Sequence, residues 1–69
     1  MTKEQRKRAV VIAKDAVREM QSFTEGFDDL EEADTLMKIT VAYAQGIRMV
    51  VSASELHDFM ETLEKGAAK

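Results

Sequence analysis

Three helix-start signatures, in a chain with no proline at all, constrain this sequence more than anything else in it. Thr2-Lys3-Glu4-Gln5, Asp28-Asp29-Leu30-Glu31 and Ser52-Ala53-Ser54-Glu55 each fit the capping box. In that pattern a short oxygen-bearing side chain takes a free N–H of the first turn, and an acid or amide three residues later reaches back. Proline is the residue that breaks a helix interior, and here nothing supplies that break. The spacing predicts an all-α, three-helix domain spanning 1–69, with helices at about 3–24, 29–51 and 53–65.

In the first helix, Ala9, Val10, Ala13, Ala16, Val17, Met20 and Phe23 fall on one face at helical spacing. Charged residues fill the other side, with Val11 the one misfit. Its alanines allow a second helix to approach closely. Gly26 is the expected stop, because glycine takes the left-handed conformation that closes a helix.

The second segment admits two readings. Lys38–Ala44 and Ile47–Val51 could be strands of a hairpin turned at Gln45-Gly46, since their β-branched content suits strands. Periodicity favours a helix instead. Glu31, Asp34, Thr35, Lys38, Gln45, Arg48 and Ser52 share one arc of the wheel, and apolar residues take the rest. An apolar arc that wide needs more than one neighbour. Gly46 within it costs about 1 kcal/mol against alanine, and so marks a close crossing, a kink or a break.

The third helix is expected to be capped by Ser52, with Val51 and Leu56 as its hydrophobic staple. Its stripe is Leu56, Phe59, Met60 and Leu63, and Gly66 closes it, leaving Ala67, Ala68 and Lys69 frayed. Assembled, the expectation is a long antiparallel helical hairpin with a short third helix folded back on it. One short helix cannot cover the second, so a homodimeric bundle follows, with the second helices at the two-fold axis. The residues expected in that dimer or core interface are Leu36, Met37, Ile39, Tyr43, Ile47, Val50 and Val51.

Composition narrows the function classes. A chain of 69 residues buries only roughly 60% of the surface its unfolded form exposes and is marginal alone. It has no cysteine, which removes disulfides and cysteine-based zinc or redox chemistry. One histidine makes a transition-metal site improbable, so no metal and no cofactor are expected. The charged fraction is 33%, the apolar fraction 45% and the net charge −3, a globular balance. No stretch approaches the roughly 20 apolar residues of a membrane span, and the first residues carry no apolar secretory core. A cytoplasmic protein is the reading.

Several clusters invite chemistry. The acidic run Glu25, Asp28, Asp29, Glu31, Glu32 and Asp34 lacks EF-hand spacing, and acids at a helix start complement its dipole. The basic run Lys3, Arg6, Lys7 and Arg8 sits at the wrong end for the dipole, which makes these four the candidate nucleic-acid or partner contacts. Ala42-Tyr43-Ala44-Gln45-Gly46-Ile47 partly matches a helix-turn-helix, but its recognition segment would carry too little positive charge.

Histidine titrates near neutrality, so His57 is the one candidate base, in a row with Ser54 and Glu61. A row on a solvated face is not a pocket, and a surface role is preferred. Tyr43 and the methionines Met20, Met37, Met49 and Met60 read as packing surface. The expectation is a small non-enzymatic protein without a small-molecule substrate. It would bind another protein as a homodimeric accessory or regulatory factor, of the kind phages and mobile elements encode. The alternative is a DNA-binding regulator using the basic start of the first helix.

Overall fold

The computed structural model describes residues 1–67, and in it the chain forms two helices where three were expected. Helix α1 is Lys3–Thr24 and helix α2 is Leu30–Ala67. Gly66 does not close the helix, since Ala67, expected to fray, is still helical; Ala68 and Lys69, also expected to fray, lie outside the described residues.

The first cap is as its sequence pattern predicts. Thr2 is extended, and its hydroxyl accepts from the Gln5 N–H at 3.1 Å. The Gln5 side-chain oxygen accepts from the Thr2 N–H at 2.8 Å. The end of α1 is different from expectation. No glycine among the described residues has positive φ. Glu25 stays right-handed, and the Phe27 N–H donates to the Thr24 carbonyl at 3.1 Å. Phe23 and Phe27 then meet edge to face, centroids 5.0 Å apart, and fix the link. Helix α2 is capped one residue later than predicted. Asp29, not Asp28, accepts from the N–H groups of Glu31 and Glu32 at 3.0 and 3.2 Å.

The third helix does not exist as a separate element. Ser52 lies inside α2, and the chain continues helical through Ser52–Glu55 without a turn. A capping box can start a helix only where the preceding backbone has left helical geometry. Nothing upstream forces that exit. Ile47 to Val51 contain no glycine, and Gly46 costs about 1 kcal/mol, less than the several backbone bonds a break would expose. The strand alternative for 38–51 fails for the same residues, all of which are helical. Gly46 marks no crossing with α1, since a Cβ built there meets nothing within 4 Å.

The unbroken helix through Ser52 has a direct check. Ser52→Ala is expected to change stability by less than about 0.5 kcal/mol, because an exposed helix-interior serine caps nothing. Thr2→Ala and Asp29→Ala are each expected to cost about 1 kcal/mol. Urea unfolding of the three variants measures the difference. A loss at Ser52 as large as at Asp29 would restore the three-helix reading.

The two helices pack antiparallel across a link at residues 25–29. Toward α1, α2 presents Met37, Thr40, Ala44, Ile47, Val51, Ser54 and Asp58, all buried or half-buried. That is an alternating three–four spacing, the seven-residue repeat of a coiled-coil seam. The buried apolar residues are Ala13, Ala44 and Val51. Thr40 is also buried, its hydroxyl donating to the Leu36 carbonyl at 2.8 Å. The seam turns polar at its open end, where Arg6 pairs with Asp58.

At 1.5 Å per residue the helices are about 33 and 57 Å long. The Cα atoms span 63 × 18 × 9 Å with a radius of gyration of 17.3 Å. A compact chain of this length would have a radius of about 11 Å. Every described residue after Asp58 is exposed, so α2 ends in an arm with no α1 beside it.

Candidate interaction surface

The surface is built from what α1 leaves uncovered. Apolar residues cover more of α2 than α1 can occupy. On the side away from α1 lie Ile39, Ala42, Gly46, Met49, Ala53, Leu56, Met60 and Leu63, all exposed. Met49 is 73% exposed and Leu56 62%. Their spacing is again three and four in alternation, so this is a second seven-residue seam, in phase across the position where a helix break was expected. No residue in it is charged.

The seam continues onto a groove between the helices. Phe23, Ile39 and Tyr43, with Ala16 and Met20 beneath them, line an open, largely apolar hollow of about 480 Å³. Farther along, Ala9, Ile47 and Val50 extend it. Phe23 and Tyr43 are both more than 60% exposed.

The predicted interface residues divide between the two sides of α2. Leu36, Met37 and Ile47 are half-buried and Val51 is buried, while Ile39, Tyr43 and Val50 are exposed. Met49, Leu56 and Leu63 belong to the outward seam and were not among them. Their seven-residue spacing is present in the sequence, but a helix start at Ser52 would divide it between two elements.

The basic run is divided too. Arg6 is committed: its guanidinium pairs with Asp58 and also donates to the Met1 carbonyl at 2.9 Å. Lys3, Lys7 and Arg8 are exposed. A second set of cations, Lys14, Arg18 and Arg48, lines a groove on the opposite side of the hairpin from Phe23. His57 is exposed, its Nε2 3.8 Å from Glu61, and Ser54 is half-buried on the α1 side. Lys38 bonds Asp34 at 2.8 Å, and that bond holds its ammonium above the ordinary lysine value. The acids at the start of α2 spend Asp29 on the helix cap.

Among the described residues no three metal-ligating side chains come together, and no helix is long and apolar enough to cross a membrane. No family model matches the chain. No curated protein and no solved structure matches it either.

Proposed function

We propose that this chain is a non-enzymatic binding protein that works as a homodimer and acts on other macromolecules through helical surface. A cytoplasmic setting and an accessory or regulatory role belong to the same proposal. The observation that carries it is the mismatch between core and surface. Among the described residues three small or medium apolar ones are buried, while Phe23, Ile39, Tyr43, Met49, Val50 and Leu56 stand exposed. The accessible area is 5784 Å². A folded monomer of this mass exposes about 4,400 Å². The excess, about 1,400 Å², exceeds the ~800 Å² each partner gives to a standard interface.

Light scattering on size-exclusion fractions tests this. The expected mass is twice 7.8 kDa at micromolar concentration. A well-folded monomer at high concentration would end the homodimer reading.

One observation favours a second reading, a nucleic-acid-binding regulator. Lys14, Arg18 and Arg48 share a groove, and Lys3 and Lys7 lie along the same side of α1. That stripe suits a phosphate backbone better than the Lys3–Arg8 run alone, because Arg6 is already paired. Duplex binding that weakens steeply with salt and is lost in Lys14→Ala/Arg18→Ala/Arg48→Ala would support it.

A further inference from the structure

We infer that two copies pair through the outward seam of α2 as an antiparallel coiled coil, centred midway between Met49 and Ala53. This deepens the homodimer reading and rests on it.

The seam has two classes of position, each recurring every seven residues. One holds Ile39, Gly46, Ala53 and Met60; the other holds Ala42, Met49, Leu56 and Leu63. Parallel helices stack each class on itself, whereas antiparallel helices place one class opposite the other. Parallel pairing would set Gly46 on Gly46 and Ala53 on Ala53, then Met60 on Met60. Such layers alternate between a void and an excess of volume, and both cost stability.

Antiparallel pairing about the stated centre sets Gly46 opposite Leu56, Ala42 opposite Met60, and Ala53 opposite Met49. Ile39 meets Leu63 at each end. Every inner layer then holds one small and one large residue, the complementarity that lets two backbones approach with their cores filled. Sliding by one heptad breaks this, putting Ala42 on Ala53 or Met49 on Met60.

Two further features fit this occupant. Gly46 carries a helix-interior penalty although a Cβ there would meet nothing within 4 Å among the described residues, and the partner's Leu56 supplies a neighbour. The arm after Asp58 has no intramolecular support, and a few helical turns alone are marginal in water. In this register the arm lies beside the other copy's Ile39 and Tyr43, at the groove lined by Phe23. The seam is about 36 Å long from Ile39 to Leu63. A strip of that length and the ~10 Å width of a helix is about 400 Å² in projection per chain, before side-chain flanks are counted. The hollow lined by Phe23 and Tyr43 adds to this, toward the 1,200–2,000 Å² of stable interfaces.

The chain has no cysteine, so introduced ones report without background. Ile39→Cys and Leu63→Cys proteins are mixed and oxidised mildly. The expected result is a disulfide-linked pair in the mixture, at least about tenfold above either protein alone. Gly46→Leu is the second variant: a Cβ there meets nothing within 4 Å among the described residues and leucine favours helix over glycine, so helicity holds, while the dissociation constant rises at least about tenfold. Leu63→Cys linking to itself as readily as to Ile39→Cys would overturn the antiparallel register. A dimer that shows neither cross-link nor any effect of Gly46→Leu would place the interface elsewhere and overturn the seam. A monomer by light scattering would instead overturn the homodimer reading beneath it.

Discussion

Leu56→Glu is expected to separate the dimer into monomers, raising the dissociation constant about a thousandfold by sedimentation equilibrium. Burial of Leu56 counts twice in a two-fold dimer. Leu56 is 62% exposed in the single chain, so the hairpin gains little from it. Across a two-fold axis both copies bury it, and each burial contributes about 2 kcal/mol. Two losses come to about 4 kcal/mol, close to three decades in affinity. Placing two carboxylates against the Gly46 layers adds a desolvation cost in the same direction.

The control is Val11→Glu, exposed on α1 and absent from both the seam and the Phe23 groove, which is expected to leave the constant within about tenfold. In the separated Leu56 variant, amides after Asp58 should exchange hydrogen almost as freely as in an unfolded chain, because neither α1 nor a partner protects them. An unchanged dimer in Leu56→Glu would remove α2's outer side from the interface.

The helical character of every segment could be read from the sequence, since 3.6-residue periodicity and the Thr2–Gln5 cap are local. The count of helices could not, and Ser52 shows why. A capping box states that a helix could begin there; whether one does depends on the backbone before it. Residues 47–51 continue helical, so Ser52 and Glu55 become ordinary interior positions. Gly26 misled similarly, because the turn at 25–29 closes through the Phe27–Thr24 backbone bond without a left-handed residue.

The broad apolar arc of α2 was legible, and so was its need for two neighbours. Which residues face which neighbour was not. A wheel at 100° per residue smears a 3.5-residue seam over four heptads by about 20° each. Counting sevens separates the inner set, Thr40, Ala44 and Val51, from the outer set, Gly46, Met49 and Leu56. The pairing of Arg6 with Asp58 crosses 52 residues of sequence, and no local pattern announces it.

Ala13→Leu is expected to lower the melting temperature by about 5–20 °C at every protein concentration. Ala13 is 2% exposed, the most buried apolar residue described, and Ala44 is buried on the facing helix. Small residues on both helices set how closely the backbones approach. Three added carbons at a position 2% exposed press on the facing helix, and overpacking of this kind costs about 1–3 kcal/mol. In a domain of this size each kcal/mol shifts the midpoint by about 4–8 °C. The concentration dependence separates this defect from loss of the dimer. Self-association raises the midpoint as protein is added, because the partner stabilises the folded form by mass action. Ala13→Leu should lower the whole curve and keep its slope, since the outer seam is intact. Leu56→Glu should flatten the slope, since the partner is gone. If Ala13→Leu melts like the parent chain, α1 does not dock on α2 through Ala13. The inner seam would then lose its role in fixing which side of α2 is left for a second copy.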